Sequence, residues 1–197
     1  MRELVERGGH HDDPFGLCND RLGSVTPARD DPFFHPFLYG SGQGADYRAG
    51  FFGLAGWHGE GHLLRALFEG VTFEHLRHIE VLRAAGVAFG NAVLSGGGSR
   101  SPHWPQIFAD VLGVPISVAE ARETGALGAA IGAALATGRV GSYEEGVARM
   151  TRIRQGYEPR IEMTAHYAER YRAYQALAEA MRSFWQRQHA ARASARH

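Results

Sequence analysis

The sequence contains no lysine, since all 21 of its basic residues are arginine. This absence excludes a phosphate loop of the Walker A type, the strand lysine of protein kinases and Schiff-base catalysis, because each needs a lysine amine. Any phosphate chemistry of the chain must therefore use backbone amides, arginine, a metal ion or residues from elsewhere.

The sequence also has a single cysteine, no formal net charge and no long apolar run. The single cysteine, Cys18, allows no internal disulfide and is typical of a reducing compartment. The formal net charge of zero argues against a general nucleic-acid or membrane surface. No apolar run reaches membrane-spanning length, and residues 1–7 lack the apolar core of a secretory signal. We therefore expect a cytoplasmic protein that binds neither nucleic acid nor membrane.

The length of 197 residues and a hydrophobic content of 44% indicate one domain with a sizeable core. Residues 1–32 are polar and interrupted by glycine and proline, so they form a poorly defined leader in which only Leu4 and Val5 suggest a short helix. We place the domain at residues 33–189 and a frayed tail at 190–197.

Hydrophobic periodicity predicts an alternation of helices and strands, which indicates an α/β fold. The predicted helices cover residues 60–85, 102–112, 125–136, 143–151 and 164–189, and the predicted strands cover 92–95 and 114–120. The first long helix should bury Leu64, Leu67, Phe68, Val71, Ile79 and Leu82 and stop at Gly86. The small residues of helix 125–136 should let it lie close against the sheet. Tyrosines line the last helix, and residues 32–39 form an extended loop packed on the core.

Three consecutive glycines, Gly96, Gly97 and Gly98, follow the predicted strand 92–95. Ser101 is a suitable N-cap for the next helix, and Pro102 suits its first position. Glycines let backbone N–H groups approach a ligand, and a helix N-terminus attracts negative charge. The segment is therefore a nucleotide-site candidate, or else only a tight turn.

Two other patterns leave alternatives open. A dinucleotide-binding fold would use Glu120 at the end of the next strand as its ribose-binding acid, although Ser101 stands where that fingerprint has its third glycine. His58, Glu60 and His62 could suggest a metal site, but the glutamate is misplaced for the zinc-protease pattern. These histidines are better explained as residues at a helix start.

Three ordered stretches resemble motifs of one enzyme family. The first comprises residues 49–54, a gap of seven residues, and residues 62–69, with Leu67 in place of the usual smaller residue. The second is residues 94–101, continued by Trp104, Gln106, Ala109 and Asp110. The third is residues 123–130. Together they resemble the second signature, the adenosine motif and the following helix of the FGGY carbohydrate kinases. The similarity covers residues 33 to about 185, and residues 36–41 and 53–58 are most similar to the L-xylulose kinase group.

This resemblance implies an α/β fold of the actin-like ATPase (RNase H-like) type, as an N-terminally truncated C-terminal domain with a long C-terminal helix. In the family, the preceding regions supply the phosphate loops, most sugar contacts and the aspartate that acts as general base. We find no candidate for them in residues 1–32. The resemblance therefore implies a fragment that is inactive by itself, and that is unstable or self-associating because strand 92–95 or its neighbour exposes an unpaired edge.

The implied function is that of the nucleotide-binding portion of an ATP-dependent pentulose-type kinase, which transfers the γ-phosphoryl group to a sugar hydroxyl. The backbone of Gly96, Gly97 and Gly98 would approach the ribose and α-phosphate, and Ser101 would lie near the adenine edge. ATP and Mg²⁺ are the implied cofactors, with no Mg²⁺ ligand and no catalytic residue in this chain. The implied partners are a sugar and a second copy or a separate N-terminal chain. The alternative is a non-catalytic nucleotide-binding or partner-docking fragment.

Overall fold

The structure is a computed structural model, and it describes residues 13–194. These residues form two compact units, one from residues 13–87 together with 161–194 and the other from residues 88–160. No helix in this part of the chain combines the length and the apolar character that a bilayer crossing requires.

Six α-helices and five short strands make up the described chain. In chain order they are α1 (Pro14–Gly23), β1 (Phe33–His35), β2 (Gly50–Phe52), α2 (Glu60–Ala84), β3 (Ala92–Leu94), a 3₁₀ turn (Gly97–Arg100), α3 (Trp104–Leu112), β4 (Ile116–Ala119), α4 (Thr124–Ala136), α5 (Tyr143–Met150), β5 (Ile153–Tyr157) and α6 (Ile161–Ser194).

Helix α1 corrects the expectation that only Leu4 and Val5 suggest a helix in the leader of residues 1–32. Asp13 caps it, because its Oδ1 accepts a hydrogen bond of 3.0 Å from the Phe15 amide, and Pro14 occupies the first helical position. Leu22 on this helix is fully buried. The helix suggested at Leu4 and Val5 lies outside the described residues, and the boundary at residue 33 stays a prediction.

The first unit is built on α2, which packs against β1 and α1. Strands β1 and β2 pair antiparallel, with Phe33 opposite Phe52. Helix α2 ends as predicted, because Gly86 follows it with a φ of 86°, a conformation that favours glycine. The predicted tyrosine stripe of α6 is confirmed, since Tyr167, Tyr171 and Tyr174 are all buried.

The buried face of α2 differs from the predicted one. Its buried residues are Gly61, Arg65, Ala66, Glu69, Gly70, Thr72, Phe73 and Leu76, whereas Leu82 is half exposed. The helix therefore buries small and charged positions in its first half. This is possible because Arg170 of α6 contacts Glu69 and because Gly70 lets β1 approach closely.

His35 of β1 gives the first unit a predictable dependence on pH. Its imidazole is fully buried among the rings of Phe37, Phe52 and Tyr174. Nε2 lies 3.3 Å from the Tyr174 carbonyl oxygen and must donate to it, which leaves Nδ1 as an acceptor with no hydrogen-bond partner in the described residues. Burial lowers the pKa of His35 below 6.5.

We therefore expect the free energy of unfolding to fall as the pH drops below about 6.5, because the unfolded chain binds a proton that folded His35 resists. Urea unfolding at several pH values should show a weaker slope between pH 6.5 and 5.5 in His35→Phe, by up to about 1.4 kcal/mol per pH unit. His75 and His166, whose pKa values burial also lowers, should retain part of the slope. An unchanged slope in His35→Phe would contradict the assignment.

The second unit contains a three-stranded sheet in the order β3-β4-β5. Strand β3 is parallel to β4, and β5 is antiparallel to β4. Helix α3 packs against β4 and ends at Gly113, whose φ is 65°. The core of the second unit includes Ile107, Phe108, Val111, Leu112, Val114, Ile116, Val118, Ile131 and Val140.

Helix α4 does not lie against this sheet, contrary to the prediction from its small residues. It packs instead on α5, where Gly146 allows close approach to Ile131. Ile131 is the one buried residue of α4. Strand β3 pairs with β4 alone among the described residues, and Val93 on it is 61% exposed. One edge of the sheet is therefore open.

Candidate functional site

The turn after β3 has a backbone conformation that its sequence explains. Gly96 has φ 82° and ψ −166°, a region that residues with a Cβ rarely adopt. The Ser99 hydroxyl donates a hydrogen bond of 2.7 Å to the Gly96 carbonyl oxygen, and the Ser99 amide donates to the same oxygen. These bonds fold Gly97–Arg100 into a compact 3₁₀ turn.

The three glycines of the turn serve different purposes. A Cβ on Gly96 would meet no atom within 4 Å, so this residue borders open space. A Cβ on Gly97 would lie 3.6 Å from Nη2 of Arg100. At Gly98 a Cβ would lie 2.9 Å from the ring of Trp104, so this glycine is needed for packing. Gly96 and Gly97 therefore have room for a Cβ, whereas Gly98 does not.

Ser101 fixes the entry to α3 but is not the N-cap that the sequence predicts. Its Oγ accepts hydrogen bonds of 3.2 Å from the amides of His103 and Trp104, and the residue is buried. The helix begins at Trp104 rather than at Pro102, and Pro105 lies in its first turn. The hydroxyl is therefore engaged with the backbone of its own segment.

A cavity of about 430 Å³ lies where β3 and β4 end. It is lined by Gly96, Ser99, Arg100, Ala119, Glu120, Ala121, Arg122 and Arg154. In open α/β sheets, ligands bind outside the carboxyl ends of parallel strands, which is the position of this cavity. Its volume lies in the range of small-molecule sites.

Of the four predicted site residues, Gly96 lines the cavity and Gly97, Gly98 and Ser101 do not. The residues that the sequence analysis missed are Arg100, Arg122 and Arg154, and Glu120 was considered only for a dinucleotide-binding fold. The absence of lysine pointed toward arginine. However, the three arginines come from three separate segments, so no spacing in the sequence brings them together.

The cavity suits an anion better than a divalent cation. Glu120 is the one carboxylate that lines it, against three guanidinium groups. Mg²⁺ prefers several oxygen ligands, so the residues present do not fit it. Among the described residues, no three His, Cys, Asp or Glu side chains are grouped so that they could hold a metal ion.

Two residues of the adenosine motif, Gln106 and Asp110, form hydrogen bonds between segments of the second unit. Asp110 is fully buried and accepts hydrogen bonds from Nη2 of Arg160 at 2.6 Å and from the Arg160 amide at 2.8 Å. Gln106 donates to Asp110 and to the Glu158 carbonyl oxygen. Helix α3 is thereby tied to the segment after β5, and these motif positions are explained by structure rather than by ligand contact.

The histidines near residue 60 lie at the start of α2, as predicted. Nδ1 of His58 accepts a hydrogen bond of 3.0 Å from the Ala55 amide, and Nδ1 of His62 accepts one of 3.1 Å from the Gly59 amide. Both rings therefore stabilise the backbone where the helix begins.

A family model described as the FGGY family of carbohydrate kinases, C-terminal domain, matches residues 20–137. The chain is 36% identical over 172 residues to the L-xylulose/3-keto-L-gulonate kinase of Escherichia coli strain K12, an alignment that covers 86% of this chain and 34% of that protein. It is 33% identical to a probable L-xylulose kinase of Pasteurella multocida, over 86% of this chain and 34% of that protein.

The structure is similar to the crystal structure of xylulose kinase from Rhodospirillum rubrum. The TM-score is 0.78 and the sequence identity is 28%, over 87% of this chain and 35% of that one. The chain therefore spans about a third of the length of the relatives that it matches.

Proposed function

Because this chain belongs to the FGGY family of carbohydrate kinases, we propose that it is the nucleotide-binding portion of an ATP-dependent kinase for a pentulose or a similar sugar. The reaction would transfer the γ-phosphoryl group of ATP to a sugar hydroxyl. Such transfers depend on positioning and on charge neutralisation more than on covalent chemistry. This chain would contribute the adenosine side of the site.

The cavity beside Gly96 is the observation that carries this proposal. Its position at the carboxyl ends of β3 and β4 leaves the backbone of the glycine turn accessible to a ligand. In the proposal, the backbone of Gly96, Gly97 and Gly98 approaches the ribose and α-phosphate. The contact of Ser101 with adenine stays a prediction, since its hydroxyl already accepts two backbone hydrogen bonds.

The remaining parts of the reaction are assigned outside the described cavity. Mg²⁺ would arrive with the nucleotide and supply charge neutralisation at the phosphates, and its protein ligands would come from outside this chain. The sugar would be held by a part of the kinase that this chain does not cover, supplied by a separate chain. The dinucleotide-binding alternative is set aside because the family match includes Gly96 and Glu120, and because β5 is antiparallel to β4.

Gly96→Ala should weaken the binding of ADP at least tenfold. The added Cβ forces a residue with a side chain into a backbone region reserved for glycine and fills space at the edge of the cavity. Isothermal titration calorimetry on the whole chain with ADP measures the effect.

Gly138→Ala is the matched control, because Gly138 also has a positive φ, of 70°, has open space around it and does not line the cavity. Both variants should melt at lower temperature than the parent chain, but ADP affinity should be retained in Gly138→Ala. Equal ADP affinity in both variants would place the nucleotide elsewhere.

A coupled assay for ADP release with a panel of pentuloses separates the kinase from a non-catalytic fragment. Since the chain spans about a third of its relatives, we expect ADP binding without turnover by the chain alone. Addition of a chain that supplies the remaining two thirds of a relative should restore sugar-dependent turnover. Binding without restoration would favour the non-catalytic alternative.

A further inference from the structure

The cavity at the ends of β3 and β4 collects three arginines from separate parts of the second unit. Arg100 ends the 3₁₀ turn, Arg122 follows β4 and Arg154 belongs to β5. None of the three forms an ion pair with a carboxylate in residues 13–194. By contrast, Arg160 of the same unit is paired with the buried Asp110.

The three side chains have few structural duties. Nη2 of Arg154 donates a hydrogen bond of 3.3 Å to the Ser99 carbonyl oxygen, which attaches β5 to the glycine turn. Arg100 and Arg122 are exposed and have no hydrogen bond to another described residue. Their guanidinium groups are therefore available to a ligand.

The charge around the cavity is strongly one-sided. Three guanidinium groups face a single carboxylate, Glu120, in a chain whose formal net charge is zero. A concave surface lined by charges of one sign concentrates the field and attracts the opposite charge. Helix α4 begins at Thr124 without a side-chain cap, two residues after Arg122, and its N-terminal amides add to the positive potential.

We propose that Arg100, Arg122 and Arg154 form a phosphate-binding subsite of this cavity. Guanidinium groups present paired N–H donors that match phosphate oxygens, and they stay charged at every physiological pH. A chain without lysine has no other side chain of permanent positive charge for this purpose. Where the phosphate belongs to ADP or ATP, the subsite rests on the proposed function; where it belongs to another phosphorylated small molecule, it does not.

The test uses the whole chain and three probes, namely pyrophosphate, ADP and adenosine, titrated by calorimetry. Arg122→Gln and Arg100→Gln should each weaken pyrophosphate binding about tenfold, the ordinary effect of one lost charge-assisted contact. Arg139→Gln is the matched control, because Arg139 is an exposed arginine of the same unit outside the cavity. It should bind pyrophosphate as the parent chain does.

Glu120→Gln should change the affinity for pyrophosphate in the opposite direction from the arginine substitutions. Removal of the one carboxylate in the cavity should tighten pyrophosphate binding several-fold. Raising the salt concentration should weaken the binding in the parent chain and should matter less in Arg122→Gln. Thermal melts of each variant establish that it is folded.

The probes separate this proposal from the proposed function. Arginine-dependent binding of pyrophosphate without binding of ADP would support the subsite and contradict a nucleotide site. ADP binding that is equally strong in the parent chain, Arg100→Gln and Arg122→Gln would retain the nucleotide site and overturn the subsite. Arginine-dependent binding of ADP, together with adenosine binding that the substitutions leave unchanged, would place the nucleotide's phosphate on the arginines.

Discussion

Glu69→Gln is expected to lower the free energy of unfolding by about 3–5 kcal/mol, because it leaves buried positive charge without its partner. Glu69 is 1% exposed and lies between two arginines, with Oε2 accepting a hydrogen bond of 3.1 Å from Nε of Arg170 and Oε1 lying 3.9 Å from Nη1 of Arg65. The Tyr167 hydroxyl donates to Oε1. Burial raises the pKa of Glu69, and Arg170 and Arg65 oppose that shift.

The burial of Arg170 makes the expected loss of stability large. Arg170 is 3% exposed, and its remaining N–H groups donate to the carbonyl oxygens of Ala28, Arg29, Asp31 and Pro32. The Glu69–Arg170 pair thus joins α2, α6 and the segment before β1. Without the carboxylate, the guanidinium group stays buried with only neutral acceptors, and a domain of ordinary stability has about 5–15 kcal/mol to lose.

Urea unfolding followed by circular dichroism measures the effect, with Glu169→Gln as the matched control. Glu169 pairs with Arg29 at 3.0 Å, but the two side chains are 50% and 81% exposed. Exposed pairs contribute about 0–1 kcal/mol, so this control should unfold close to the parent chain. Equal midpoints for the two variants would show that the buried pair does not hold the unit together.

Gly70→Ala should destabilise the first unit by about 3 kcal/mol or more, although alanine is the better helix former. A Cβ at this position would overlap the carbonyl oxygen of Phe34 in β1. That oxygen is backbone and cannot rotate away, so α2 and β1 would have to separate and the core between them would open. Thermal melting of the variant should show the loss.

Replacement of Gly128 by alanine should instead increase the stability of the protein. This residue lies inside α4, and a Cβ there would meet no atom within 4 Å. The gain should be about 1 kcal/mol, the ordinary advantage of alanine over glycine in a helix. Unchanged stability in Gly70→Ala would contradict the close packing of α2 on β1, and a loss in Gly128→Ala would contradict the open space around α4 at that position.

The bounds of helices α2, α4 and α5 and of strand β4 were predicted from the sequence to within a few residues. Helix α6 begins three residues earlier than predicted, at Ile161. The three-residue strands β1 and β2 were not predicted, since proline and glycine surround them. Strand β5 is mostly exposed and contains Gly156, so it carries no apolar alternation. The start of helix α1 could have been predicted from Asp13 as N-cap and Pro14 at the first helical position, but the polar composition of residues 1–32 favoured a leader without this helix.

The candidate site also contains residues that could be predicted from the sequence and residues that could not. The glycine turn could be predicted because its residues are consecutive, and the structure places Gly96 at the cavity. The arginines could not, because Arg100 and Arg154 meet only through the pairing of β3, β4 and β5. The buried face of α2 was misassigned for a similar reason, since Arg170 lies 101 positions from Glu69 in the sequence.

The first unit is interrupted in sequence by the second, and this arrangement sets an order of folding events. Residues 88–160 are contiguous and can pair their strands as soon as they leave the ribosome. Helix α2 must wait for α6, because the tyrosines and Arg170 that cover it are synthesised about a hundred residues later. During that interval Glu69 has no Arg170, and the apolar face around Phe73 has no tyrosines to cover it. We therefore expect the nascent chain to depend on chaperone protection until α6 emerges, whereas the arginine cavity can already be formed.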